Sequence, residues 1–194
     1  MARPRQASDE DLLKATFRAI TALGPARLTL ADVAREAGVT PAVLVQRFGS
    51  KRALLLAAAA DMSGGDAYIF PALRARHRSP VAAVLGLADC MALFGETPGA
   101  VTNNLAFAHA SLEEADFHRH ALDGSRRMRA GIRALVRHAI AAGEIKRTPA
   151  ARLADAVHAT LTGSLMTWAV HRQGSLAAWL RRDLRTVLDP YRVR

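Results

Sequence analysis

The sequence has a single cysteine, Cys90, and no long hydrophobic run. One thiol cannot form a disulfide within the chain, and such sparse cysteine is typical of a reducing compartment. The N-terminal segment MARPRQASDED lacks the apolar stretch of a secretory signal, and no uninterrupted apolar run reaches the roughly 18 residues that a transmembrane helix needs. We therefore predict a soluble cytoplasmic protein without a membrane partner.

Sequence motifs of enzymes and of bound cofactors are also missing. The sequence contains no phosphate loop, dinucleotide fingerprint or nucleophile elbow. No Cys/His set has the spacing of a structural zinc site, and His118 and His120 would lie on different faces of a helix. The sequence predicts no cofactor, no metal and no enzymatic activity.

The composition allows a large core and favours a polyanionic partner. With 194 residues and 51% hydrophobic content, the chain can form one large helical domain, or a small domain joined to a larger one. The net charge is +10, which favours a negatively charged partner. Residues 1–56 contribute +4 and residues 57–194 contribute +6, so the charge alone does not locate a binding site.

The segment Leu30–Phe48, LADVAREAGVTPAVLVQRF, carries the most specific pattern in the chain. Thr29 and Asp32 have the spacing of a capping box, which predicts a helix beginning at residue 30. Gly38 suits a left-handed exit from that helix, because it has no Cβ to clash. Thr40 is placed to cap a second helix, with a proline at its first position.

The second of these helices has an inner and an outer face. Leu44 and Phe48 are four residues apart and would pin it to the core. The residues left on or near its outward faces are Ala42, Val43, Gln46 and Arg47. Two short helices in this arrangement are typical of a helix-turn-helix, whose second helix enters the major groove of DNA. An ordinary helical hairpin has many of the same features and remains the alternative.

The flanking residues extend the pattern by one helix on each side. Ser8 is placed to cap a first helix, and Ser50 a fourth. Lys51 then falls in the first turn of the fourth helix, where the helix dipole disfavours a cation. A phosphate bound at this helix start would explain the lysine, and an exposed lysine tolerated at small cost is the alternative.

Together these residues resemble the N-terminal domain of TetR-family transcriptional regulators. The residues that carry the resemblance are Thr29, Val33-Ala34, Ala37-Gly38-Val39-Thr40-Pro41, Leu44, Phe48-Gly49-Ser50-Lys51 and Leu54. The similarity covers residue 8 to about residue 60. It implies an all-α fold, with a three-helix DNA-binding domain in residues 1–60, its helix-turn-helix at 30–48. A larger helical domain for effector binding and dimerisation would follow in residues 61–194.

The resemblance also implies roles for individual residues. The predicted DNA-binding residues are Thr29, Thr40, Pro41, Ala42, Val43, Gln46, Arg47 and Lys51. The family places Thr29, Thr40 and Lys51 at phosphates, and often has phosphate-binding tyrosines where this chain has Val45 and Arg47. Val45 cannot form such a hydrogen bond, whereas Arg47 could bind a phosphate or read a guanine. Gln46 is predicted to read a base, with adenine as its best match.

Further helices are predicted after the fourth. Gly64-Gly65 is predicted to break or kink that helix, and Pro71 bounds a short basic helix that ends before Ser79. An apolar helix is predicted from Pro80 to Phe94, and a long one from about Phe117 to Ala142.

Two more helices close the sequence, one with Thr148 as its N-cap and Pro149 in its first turn, and one capped by Ser175. Both have long apolar stripes, which predict that two copies of the chain form a homodimer through these last two helices. Burial inside the chain's own core is the alternative for some of these residues.

The sequence therefore predicts a homodimeric repressor that reads a near-palindromic double-stranded operator and is released by a small-molecule effector. An apolar or aromatic effector is expected in a cavity between the C-terminal helices. The residues predicted to line it, each of which could equally be plain core, are Met91, Phe94, Asn104, Phe107, His109, Met128 and Trp168. A DNA-binding architectural protein without an inducer, and a helical small-molecule enzyme or carrier with a vestigial DNA-binding domain, are the alternatives.

Overall fold

The computed structural model describes residues 7–93 and 95–193, apart from the side chain of Ser111, and these residues form an all-α fold. The only β-type pairing in this part of the chain is one isolated bridge between Ile145 and Arg192. The helices are α1 Asp9–Leu23, α2 Leu30–Ala37, α3 Pro41–Phe48, α4 Lys51–Ser63, α5 Asp66–Arg76, α6 Pro80–Leu85, α7 Leu87–Ala92, α8 Pro98–Glu113, α9 Ala115–Ala141, α10 Ala150–His171 and α11 Leu176–Leu188. Within the described ranges, no helix is both long and apolar enough to span a bilayer.

Helices α1 to α4 form the unit that we call the head. Ser8 and Asp11 make a capping box at the start of α1, as the predicted cap at Ser8 implied. The buried residues of the head core are Leu12, Ala19, Ile20, Leu28, Val33, Ala34, Leu44, Leu54, Phe107 and Phe117. Phe107 lies on α8 and Phe117 on α9, and their rings meet edge to face with centroids 6.5 Å apart. The C-terminal segment therefore completes the core of the N-terminal one.

Helices α5 to α11 form the unit that we call the body. Its core is centred on residues of α9, α10 and α11 that the aliphatic stripes of these helices bring together. The innermost of these residues, each at most 1% exposed, are Ile132, Leu135, Val136, Val157, Leu161, Leu180 and Leu184. Helices α6 and α7 cover this core from the side of α11 and α9.

An arginine of α4 ties the head to the body. The guanidinium of Arg52 lies 2.8 Å from a carboxylate oxygen of Glu114 and 3.2 Å from one of Asp116. It also lies over the ring of Phe117, 5.7 Å from the centroid. The hydrogen bonds to Asp116 and Glu114 raise the pKa of Arg52 further above its ordinary value.

Three predicted features of the body are wrong. The single helix expected from Pro80 is divided at Gly86 into α6 and α7, where Leu73 of α5 would lie 2.8 Å from an added Cβ. Pro71 lies inside α5 instead of bounding it, because burial of the neighbouring Phe70 and Leu73 holds this helix against the body core. The N-cap residue of α10 is Pro149 and not Thr148.

Candidate DNA interface

The turn between α2 and α3 follows the local signals in the sequence. The Thr29 side chain accepts a hydrogen bond from the backbone N–H of Asp32, and the Asp32 carboxylate accepts one from the N–H of Thr29. Gly38 ends α2 with φ 68° and ψ 31°, in the left-handed region that disfavours a Cβ. Pro41 occupies the first turn of α3. The predicted helix-turn-helix geometry is therefore present in residues 30–48.

Helix α3 presents one face to the head core and the other to solvent. Leu44 is fully buried, Phe48 is half-buried, and both pack in the head core. The exposed residues of α3 are Pro41, Ala42, Val45, Gln46 and Arg47. Val43 is half-buried against the head core, so it is less outward than the sequence predicted.

Thr40 is the N-cap residue of α3, but its side chain makes no capping hydrogen bond. The predicted side-chain cap at this residue is therefore wrong. The other serine and threonine N-caps of the described helices all accept a backbone N–H through the side chain; they are Ser8, Thr29, Ser50, Ser79, Thr97 and Ser175. The hydroxyl of Thr40, at the start of α3, is therefore not used by its own helix.

Thr29 is engaged differently. Its hydroxyl lies 2.6 Å from a carboxylate oxygen of Asp32, to which Arg35 also donates a hydrogen bond. The hydroxyl and backbone hydrogen bonds from Thr29, with a further contribution from Arg35, lower the pKa of Asp32. A phosphate contact by the Thr29 hydroxyl would compete with this carboxylate.

Arg47 reaches back to the first turn of α1. Its guanidinium lies 2.5 Å from a carboxylate oxygen of Asp9. In the free protein Arg47 is therefore paired with Asp9, which would compete with a phosphate or a guanine for the guanidinium.

Lys51 and Arg27 bind main-chain oxygens instead of carboxylates. The ammonium of Lys51 donates to the carbonyl oxygen of Pro25 at 3.1 Å, and Nε of Arg27 donates to that of Leu23 at 3.1 Å. Neither cation forms an ion pair with any carboxylate of residues 7–93 and 95–193. Both positive charges lie at the loop before α2 and are available to an anion. Sequence reasoning missed Arg27, although its position two residues before Thr29 was a usable signal.

The residues predicted to bind an effector lie in three different environments. Asn104 is 5% exposed and bonds the Thr21 hydroxyl of α1 at 3.1 Å, and Phe107 belongs to the head core. Met91 and Met128 are half-buried against the body core.

The remaining predicted effector residues are Trp168, His109 and Phe94. Trp168 is 3% exposed and donates its indole N–H to the Gly174 carbonyl oxygen at 3.1 Å. The side chain of His109 is 77% exposed, which leaves it on the surface. Phe94 lies outside the described residues. The part of the chain that the structure describes has no group of three or more His, Cys, Asp or Glu residues that could hold a metal ion.

Comparison with known proteins identifies the head and the whole fold. Residues 12–58 match the family model described as bacterial regulatory proteins, tetR family. A TetR transcription regulator from Haloarcula marismortui superposes with a TM-score of 0.78 at 18% identity, over 95% of this chain and 98% of that one. NemR of E. coli in its reduced form gives a TM-score of 0.77 at 16% identity, over 96% and 98%.

A third similar structure contains a ligand. The transcriptional regulator FadR from Bacillus subtilis, in complex with stearoyl-CoA, gives a TM-score of 0.68 at 14% identity, over 93% of this chain and 98% of that one. None of the curated proteins matches the sequence with significant similarity. The matched family and the similar structures are regulators and not enzymes, in agreement with the prediction from sequence.

Proposed function

We propose that the chain, whose residues 12–58 match the tetR family model and whose fold is similar to those of tetR-family regulators, represses transcription by binding a specific operator as a homodimer. The observation that carries this proposal is the exposed outer face of α3, with the unused hydroxyl of Thr40 at its start. Phosphate and base contacts need exposed donors at the start of a helix that fits the major groove.

A neighbouring cation supports the same orientation. Lys51 donates to the carbonyl oxygen of Pro25 in the loop before α2, and it lacks a carboxylate partner in the described ranges. We infer that Lys51 and Thr40 bind phosphates and that Gln46 contacts a base edge. Arg47 joins them once DNA displaces Asp9, while Pro41, Ala42 and Val43 supply the close apolar surface of the helix. We also propose that Thr29, the N-cap residue of α2, lies at a phosphate.

The proposed dimer uses α10 and α11. On α10 an exposed stripe runs through Ala159, Gly163, Met166 and Val170, with Met166 and Val170 61% and 72% exposed. Its spacing of four, three and four residues keeps it on one face of the helix. The same face in a second copy of the chain would cover it, and the two heads would then reach two half-sites of one operator.

Release by a small molecule is the remaining part of the proposal. The B. subtilis structure shows a related fold holding stearoyl-CoA. An apolar or aromatic effector between the body helices would bind better to a dimer conformation whose head-to-head spacing does not fit the operator. It would thereby shift the population away from the operator-binding form. We also infer a cytoplasmic location, where duplex DNA is accessible.

The test is selection of genomic fragments by the purified protein, followed by titration of the selected duplex. Gln46→Ala should relax the preference at one base position by about 1–3 kcal/mol, because a paired base edge loses its partner. Gln173→Ala, which changes an exposed glutamine in the loop before α11, is the matched control. Failure to bind any duplex at low salt, or an equal loss on every sequence for Gln46→Ala, would reject the proposed base reading.

A further inference from the structure

An open groove of about 710 Å³ lies where α1 and the loop after it meet the start of α8 and the end of α10. We call it the α1–α8 groove. Its volume is in the range of small-molecule sites. Among the residues that the structure describes, its lining includes none of the other six that the sequence predicted for an effector besides Phe94, so it is a separate feature of the molecule.

The charge of this groove has one sign. Its lining includes Arg18, Arg27 and Arg172 but no aspartate or glutamate. Arg18 is paired with Glu36 at 2.6 Å. Arg27 and Arg172 make no ion pair within the described ranges; Nε of Arg172 donates only to the Ala169 carbonyl oxygen, at 3.4 Å. Two arginines whose charge is not compensated by a carboxylate of the described residues therefore line one concave surface.

The rest of the lining offers apolar area beside these charges. Phe17 and Ala22 of α1 lie on one side, and Leu93 and Pro98 lie on the other. Leu93 is 79% exposed, which is high for a leucine. A ligand that matches this lining carries an anionic group that binds the arginines and an apolar part that packs against these side chains.

We propose that the α1–α8 groove binds a small organic anion, a carboxylate or phosphate on an apolar body, and that Arg27 and Arg172 hold its charge. A planar guanidinium binds either anion with two parallel hydrogen bonds. Because DNA phosphate carries no apolar part, the exposed Leu93 and the half-buried Phe17 favour a small molecule over a duplex as the occupant.

Such a ligand would touch both the head and the body. The groove runs along the seam where Asn103 of α8 donates a hydrogen bond to the Thr21 carbonyl oxygen of α1 at 3.0 Å. A ligand that contacts both sides of this seam stabilises the present orientation of the head, because it binds that arrangement better than others. This consequence for DNA rests on the proposed function, whereas binding in the groove does not.

The test uses the full chain without DNA and the fluorescent aromatic anion anilinonaphthalene sulfonate as the probe. We expect saturable binding that weakens about tenfold in Arg172→Asn and in Arg27→Ala, because each change removes a charge-assisted contact. Arg172 has φ 56°, a left-handed conformation that asparagine tolerates, so Arg172→Asn should melt at or above the temperature of the unchanged protein. Arg152→Ala, an exposed arginine of α10 outside the groove, is the control and should bind within about twofold.

Two competitors distinguish the sources of the anion. Displacement of the probe by benzoate indicates a carboxylate ligand, and displacement by phenyl phosphate indicates a phosphate ligand. Probe binding that is equal in Arg172→Asn, Arg27→Ala and Arg152→Ala would overturn the proposal. The proposal would also fail if Arg172→Asn weakened duplex binding while probe binding was unchanged, because the groove would then be a DNA contact.

Discussion

The ammonium of Lys51 uses one of its donors on the Pro25 carbonyl oxygen and keeps two for other partners. If it binds a DNA phosphate, Lys51→Ala should weaken binding to all duplexes and reduce the slope of log K against log salt by about one. Titration of one duplex at several salt concentrations measures this slope.

Lys146 provides a matched control, because its ammonium also donates to a proline carbonyl oxygen, that of Pro190, at 3.2 Å. Lys146 lies in the body, away from α3. Lys146→Ala should therefore leave the salt slope unchanged. An equal slope for Lys51→Ala and the unchanged protein would remove Lys51 from the DNA interface.

The Asp32 carboxylate stabilises the start of α2, so this contribution to stability depends on pH. Because its pKa is lowered in the folded protein, mainly by the Thr29 hydroxyl, its contribution to stability is present above the ordinary aspartate value of 3.8 and is lost as the pH falls through the folded pKa. The melting temperature of the unchanged protein should exceed that of Asp32→Asn at pH near 7, and the difference should shrink below about pH 4. Asp61→Asn, at an exposed aspartate of α4, controls for the loss of a charge in the head. If the difference in melting temperature between the unchanged protein and Asp32→Asn stayed constant down to pH about 3, this role of Asp32 would be contradicted.

Local patterns in the sequence predicted some side-chain contacts and not others. The Thr29–Asp32 capping box is visible in the sequence because its partners are three positions apart. The pairing of Arg47 with Asp9 joins positions 38 residues apart, so no local pattern reveals it. The unused hydroxyl of Thr40 is not visible in the sequence either, because this residue resembles the other caps.

At the scale of helices, the head was predictable and the body was less so. Helices α1, α2 and α4 carry their own side-chain caps, α2 ends at its own glycine turn, and these signals act within a few residues. The division of the predicted helix at Gly86 depends on how closely α5 approaches, and the continuation of α5 through Pro71 depends on burial of its neighbours. Neither dependence is encoded within the helix itself.

The crossing of α5 and α9 gives a prediction about stability. A Cβ on Gly131 of α9 would lie 2.0 Å from Cε2 of Phe70, whose ring is 5% exposed and cannot move into solvent without cost. Gly131→Ala should lower the free energy of unfolding by about 1–3 kcal/mol through overpacking.

Gly99 of α8 is the control for that change, because nothing lies within 4 Å of a Cβ placed there. Gly99→Ala should leave the free energy of unfolding unchanged or slightly increased, since alanine favours a helix. Urea denaturation of both variants provides the comparison. Equal stability of Gly131→Ala and Gly99→Ala would show that α5 does not approach α9 as closely as the structure has it.

At the scale of the whole molecule, the α10 stripe predicts the oligomeric state. Met166→Glu places a charge at the centre of the proposed interface, where it would be buried without a partner. We expect the dimer to dissociate, as measured by sedimentation, and binding to a two-half-site operator to weaken, because each head then binds alone.

Leu112→Glu is the control for this change, since Leu112 on α8 is 58% exposed, close to the 61% of Met166. It introduces the same charge at an equally exposed apolar position outside α10 and α11. Sedimentation of Met166→Glu as a dimer, or dissociation of Leu112→Glu, would exclude this face as the interface.

The placement of Phe107 and Phe117 in the head core has a consequence for domain exchange. A chimera that joins residues 1–60 to the C-terminal part of another regulator would lack these two rings and the edge-to-face contact between them. The graft would leave apolar side chains of α1 and α4 facing whatever residues the new host supplies. A transfer of the proposed DNA specificity of this chain would therefore need matched aromatic residues at the α8–α9 corner, as well as α3.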